Sequence, residues 1–150
     1  MIFVECKPDE VLVKVILPRR ETIDELKGRP AVVRQVQRRK NAVGLVDEDP
    51  RAVRPRYLTT LTGTTNRYGF RVLADPNKRN RIVVLRPRLE DWVLAAAQSA
   101  QLDIQERYGL PADARRLHEV INYRLENLDR LLKALRESAP MQALRKALTL

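Results

Sequence analysis

The chain has 150 residues, carries 29 Lys+Arg against 19 Asp+Glu for a formal charge of +10, and is 44% hydrophobic. That composition offers enough apolar surface for a buried core and argues against disorder, while no window approaches the roughly 18–20 unbroken apolar residues of a membrane span. A single cysteine, Cys6, excludes an intramolecular disulfide framework, and a single histidine, His118, excludes a Cys/His zinc site.

The positive charge is concentrated. Residues 14–88 hold 19 bases and 7 acids, whereas residues 89–150 hold nine of each. A basic middle of this kind attracts polyanions, nucleic acid first, by neutralising phosphates and releasing counterions; a solvated surface with no partner is the alternative. The N-terminus reaches Glu5 too soon for a secretory signal, so the expectation is a cytoplasmic protein.

In chain order, the run Ile2–Cys6 predicts a strand ending near Glu5, followed by a helix beginning close to Pro8, with Val11, Leu12, Val15 and Ile16 at helical spacing and Pro18 closing it. Thr22-Ile23-Asp24-Glu25 has the form of a helix capping box. Pro30 opens a helix through Val32, Val33 and Val36 to about Lys40, with Asn41 as a left-handed stop. Ala42–Val46 is an unalternating apolar run, the pattern of a strand covered on both faces of a parallel sheet. Residues 51–67 read as irregular. Phe70–Leu73 and Arg81–Leu85 flank a turn-rich segment and predict a hairpin, and a helix follows from about Leu89 with Trp92, Val93 and Ala96 on one side. From Ala112 to Ser138 there is neither Gly nor Pro, and Leu117, Ile121, Leu125, Leu128, Leu132 and Leu135 recur every three or four residues. This predicts one amphipathic helix of about 26 residues, near 40 Å long, packed on the sheet or on a second subunit. A short helix over 141–150 completes the chain.

Acidic residues cluster where strands end or helices begin: Glu5 with Asp9, Asp47 with Asp49, and Glu90 with Asp91. In an open parallel sheet, ligands bind beyond the carboxyl ends of the strands. Carboxylates gathered there repel one another, and a hard cation such as Mg2+ (or Mn2+) relieves the repulsion while retaining waters and substrate phosphates. Among basic residues this is a layout for phosphodiester chemistry. Plainer readings stand beside it: an acidic turn at Asp47–Pro50, a dipole-stabilised helix start at Glu90 and Asp91, Trp92 as core, and Cys6 and His118 as structural residues.

Phe3-Val4-Glu5-Cys6-Lys7-Pro8-Asp9, followed by Leu45-Val46-Asp47-Glu48-Asp49, resembles the Toprim pattern of topoisomerases, bacterial primases, recombination proteins and overcoming-lysogenization-defect nucleases. Leu85-Arg86-Pro87-Arg88-Leu89-Glu90-Asp91-Trp92 is similar to a segment of small Toprim-like proteins in phage-defence and restriction contexts. The resemblance spans about residues 2–98. It implies Glu5 as general acid/base or metal ligand, Asp47 and Asp49 as the metal-binding pair, and Glu90 as an auxiliary ligand, with Asp9 in support. Cys6 departs from the pattern, standing where Gly is usual. The strand that normally separates the two motifs must come from the stretch around Ile23.

The expectation is therefore an α/β, Toprim-like domain over residues 1–98, with a mainly parallel sheet flanked by helices. A helical extension over 99–150 serves packing or dimerisation through its long helix, either as a homodimer or with a partner protein. The expected activity is Mg2+-dependent cleavage or processing of nucleic acid, with catalytic residues Glu5, Asp47 and Asp49 and with Glu90 added to them as a metal ligand. Lys7, Arg38, Arg39 and Lys40 are the candidates for phosphate contact. The alternatives are a catalytically inactive binding module on the same scaffold and a structural subunit assembled through the long helix.

Overall fold

A computed structural model describes all of residues 1–150. Six strands, β1 (Ile2–Val4), β2 (Ile23–Glu25), β3 (Val43–Asp47), β4 (Thr62–Asn66), β5 (Phe70–Asp75) and β6 (Asn80–Leu85), form one sheet in the order β2-β1-β3-β6-β5-β4. The first four in that order are parallel; at one edge β5 runs antiparallel to β6, and β4 antiparallel to β5. Helices α1 (Lys7–Ile16), α2 (Arg29–Arg38), α3 (Arg56–Thr59), α4 (Leu89–Ser99), α5 (Ile104–Tyr108), α6 (Ala114–Val120), α7 (Leu125–Leu135) and α8 (Ala139–Leu148) complete the chain. None of them is long and apolar enough to cross a membrane.

The topology follows from connection chirality. The chain leaves β1 through α1 to reach β2 on one side, then returns through α2 past β1 to reach β3 on the other. Right-handed crossovers in opposite directions place the two helices on opposite faces of the sheet. The core divides accordingly. On one face, Leu12, Val13, Val15 and Ile16 of α1 pack with Val4, Leu45, Val83 and Leu85 of the strands; on the other, Val32, Val33 and Val36 of α2 pack with Phe3, Val46, Leu73, Ile82 and Val84. Gly44 in β3 lets α2 approach closely: a Cβ there would lie 2.9 Å from Val32 Cγ1.

Three expectations need correction. The capping box at Thr22–Glu25 caps nothing; Ile23–Glu25 is the edge strand β2, held by the bond from Ile2 N–H to the Thr22 carbonyl at 2.9 Å and by parallel pairing with β1. This is the strand that the sequence could supply only near Ile23. Residues 51–67 are not wholly irregular: they contain α3 and β4, the latter an edge strand of Thr, Gly and Asn without the apolar alternation that marks a half-buried strand.

The long tail helix is broken into α6, a 3-10 turn over Ile121–Tyr123, and α7. Arg124 leaves helical geometry (φ −133°, ψ 39°), and its Nη1 donates to the Gly109 carbonyl at 2.8 Å while Asn127 Nδ2 donates to the Tyr108 carbonyl at 2.9 Å. The break leaves the tail tied to the end of α5. Its leucines then dock within the chain: Leu128, Leu131, Leu132 and Leu135 of α7 join the same apolar cluster as α1, and α7 lies along α1. Arg81 of β6 donates to the carbonyls of Ala147 and Thr149, fastening the end of α8 to the sheet.

Candidate functional site

Between β1 and β3 the direction of winding reverses, and the crevice beyond the carboxyl ends of two such strands is where open α/β sheets place their ligands. The acids gather at this point. Glu5 follows β1 directly, and its Oε2 accepts the backbone N–H of Asp47, the last residue of β3, at 2.8 Å. Asp47 Oδ1 in turn accepts the N–H of Leu89 at 3.0 Å, satisfying one of the donors left free at the start of α4. Asp9, in the first turn of α1, is 1% exposed; its Oδ2 accepts the Cys6 thiol at 3.2 Å and its Oδ1 has no partner. Glu90, the second residue of α4, is also buried, with Oε1 2.9 Å from His118 Nδ1 and Oε2 without a partner.

The electrostatics are those of like charges held out of water. Burial, joined by the neighbouring charges of Asp9, Glu5 and Glu90, pushes Asp47 up to about 8. Burial likewise pushes Asp9 up to about 7, with Glu5 and Glu90 adding to the effect and the Cys6 thiol opposing it. Glu5 is raised by burial against the pull of the Asp47 N–H and the Arg29 guanidinium. Around neutral pH the cluster therefore retains a proton. Burial, with the negative charge of Asp9 next in weight, raises the Cys6 thiol, which stays protonated and donates to Asp9.

A segment following β3 flanks the acids. Glu48 N–H donates to the Leu85 carbonyl at 2.9 Å, and the Glu48 carboxylate pairs with Arg86 at 2.7 Å. Asp49 adopts a left-handed backbone (φ 36°), and its Oδ1 accepts the Arg51 N–H at 3.3 Å. Arg29, the first residue of α2, clamps this segment: it is 8% exposed, and its two terminal nitrogens donate to the carbonyls of Glu48 and Val53. With Arg54 and Arg71 it lines a cavity of about 210 Å3 beside Asp49.

Of the residues singled out from sequence, Glu5, Asp47 and Glu90 come together, and Asp9 lies among them, its charge acting on Asp47. Asp49 stands at their flank, its charge reaching Glu5. Lys7 is exposed and taken up by Glu10 at 3.1 Å and Glu25 at 3.7 Å. Arg38, Arg39 and Lys40 are not brought to the acids. α2 runs antiparallel to the strands, so its last residues emerge at the opposite end of the sheet, where Asn80 Nδ2 holds the Arg39 carbonyl and the Arg39 guanidinium lies 5.3 Å from the Phe3 ring centroid.

Arg29, whose charge acts on Glu5, and Arg54 and Arg71, which line the cavity beside Asp49, were not singled out, nor was the His118–Glu90 pair. For Arg29 a signal existed: a cation at the first position of a helix opposes the helix dipole, and a broken local rule marks a position held for another reason. For His118 none did, since 28 residues separate it from its partner. No family model, curated protein or solved structure matches this chain.

Proposed function

We propose that this protein is a small Toprim-like enzyme that cleaves or processes nucleic-acid phosphodiesters with Mg2+ or Mn2+. The observation that carries the reading is the convergence of Glu5, Asp9, Asp47 and Glu90, from three separated parts of the chain, on the reversal point of a parallel sheet. The donor set fits a hard cation: Asp9 Oδ1 and Glu90 Oε2 are buried oxygens without partners, and Asp47 carries like charges around it that a cation would offset. Although the acids are neighbours, no three acid, histidine or cysteine side chains are set to hold one metal ion together; magnesium needs one or two carboxylates and completes its shell with waters and phosphate oxygens. Asp47 and Glu90 would hold the ion, with Asp49 at the rim.

When bound, such an ion supplies charge neutralisation at the phosphate and a more acidic water. The remaining roles belong to the chain. Glu5, fixed by the Asp47 N–H, takes a proton at its free carboxylate oxygen. Asp9 keeps Cys6 turned inward, so the thiol acts as a hydrogen-bond donor rather than a nucleophile. His118 holds Glu90 in one orientation through Oε1 and leaves Oε2 free.

The test is incubation with plasmid and single-stranded substrates, with Mg2+ or Mn2+ and then with chelator. Metal-dependent product is expected, abolished by Asp47→Ala while nucleic-acid binding persists. A second reading is favoured by Cys6, which stands at the usual Gly position of the Toprim motif: an inactive nucleic-acid- or partner-binding module. Salt-sensitive binding without any metal-dependent product would establish that reading instead.

A further inference from the structure

Residues 51–74 contain five arginines and no acid, part of the longest acid-free stretch in the chain. Two of these arginines, Arg54 and Arg71, line the 210 Å3 cavity with Arg29 over an apolar floor of Leu58, Leu73 and Val84. Glu48, which also lines it, is already paired with Arg86, so three arginines share the lining with one acid that makes no ion pair, Asp49.

Arg29 is more than nine-tenths buried, and its Nε–H has no partner. A buried charged donor left unsatisfied is costly, and an acceptor entering the cavity would relieve it. A Cβ on Gly63 would lie 2.7 Å from Arg71 Nη2, so the guanidinium occupies the space that glycine leaves open on β4. The neighbouring position on that sheet face is Thr65, directly across from Arg71 in the β4–β5 register. The volume falls below the roughly 300 Å3 at which pockets begin to enclose drug-sized ligands. It suits a single phosphate group with its waters, the remainder of the ligand lying outside beside the exposed Thr65 of β4.

We propose that the Arg29–Arg54–Arg71 cavity seats a backbone phosphate of a single nucleic-acid strand that runs from the acid cluster across the outer face of the β4–β5 hairpin. This rests on the reading of the protein as nucleic-acid-directed, but not on its being a nuclease. It also assigns the phosphate contacts to a different part of the fold from Lys7, Arg38, Arg39 and Lys40. Guanidinium groups suit the task because their planar forks match phosphate oxygens.

The experiment uses the full chain in EDTA, so that metal-dependent chemistry is silent, with fluorescein-labelled DNA and RNA strands of one sequence, about 20 nucleotides long, followed by anisotropy across a salt series. Wild-type protein is expected to bind, and comparison of the two probes shows which sugar is preferred. The Arg54→Gln/Arg71→Gln variant is expected to bind at least about tenfold more weakly at about 50 mM salt, with the slope of log K against log salt reduced by about 0.7 for each arginine removed. Thr65→Glu, which sets a carboxylate opposite Arg71 without deleting it, is expected to weaken binding as well. Arg145→Gln/Lys146→Gln removes two cations from exposed positions of α8 and controls for net charge.

The proposal is overturned by failure of wild-type protein to bind either strand, or by unchanged affinity in both the arginine double variant and Thr65→Glu. Loss of binding equal to that of the α8 control overturns it too, as does loss confined to an Arg38→Gln/Arg39→Gln/Lys40→Gln variant. Binding that follows the expected pattern while no product forms with Mg2+ or Mn2+ upholds the phosphate seat and removes the enzymatic reading.

Discussion

At the scale of single residues, Asp47 ties the site to the stability of the fold. An unfolded aspartate releases its proton near pH 3.9, whereas Asp47 in the fold keeps it to about 8 and Asp9 to about 7. Between those limits the folded chain binds more protons than the unfolded chain. Stability therefore falls as pH rises, and the full penalty is present above about pH 8. Asp47→Asn removes the charge but keeps an oxygen for the Leu89 N–H. Thermal melts of the metal-free protein from about pH 5 to about pH 9 should show wild-type Tm falling more steeply than that of Asp47→Asn, with the variant the more stable at the alkaline end. Parallel curves would mean that Asp47 titrates no differently in the folded chain.

At the scale of elements, the closeness of α2 to β3 depends on Gly44. An alanine there would place its Cβ within 3.1 Å of Ile82 Cδ1 and Val36 Cγ2, and nearer still to Val32. These are packed branched side chains with little room to yield, so Gly44→Ala should cost about 1–3 kcal/mol, read by urea unfolding as a lower midpoint with unchanged slope. The elements that announced themselves in the sequence were those whose burial repeats along the chain. β1, β3 and β6 are apolar runs, but the acids at the ends of β1 and β3 could be expected to converge only if those strands were neighbours, which the sheet order supplies. β4 was invisible because Thr62–Asn66 buries almost nothing. The interruption before α7 was invisible because it depends on Arg124 reaching the Gly109 carbonyl, a contact between segments that no periodicity encodes. The arginine flank went unread for the same reason: Arg29 and Arg71 are neighbours only once α2 and β5 meet on one face of the sheet.

For the whole molecule, the terminal helices complete the core. Leu128, Leu131, Leu132, Leu144 and Leu148 are at most 2% exposed and belong to one cluster with Leu12, Val13 and Ile16 of α1. Ending the chain after Ala100 would bare that side of α1, and several leucines each worth about 1.5–3 kcal/mol of burial would be lost. The shortened chain should lose near-ultraviolet circular dichroism and aggregate; a well-folded fragment with a sharp melt would show that residues 101–150 are dispensable.

The same arrangement governs the order in which the protein can acquire its structure during synthesis. α1 leaves the ribosome more than a hundred residues ahead of its covering, α7 and the fastened end of α8. Translation at about 5–20 residues per second leaves the apolar side of α1 uncovered for several seconds. Until α8 arrives, that apolar side stays open to other contacts.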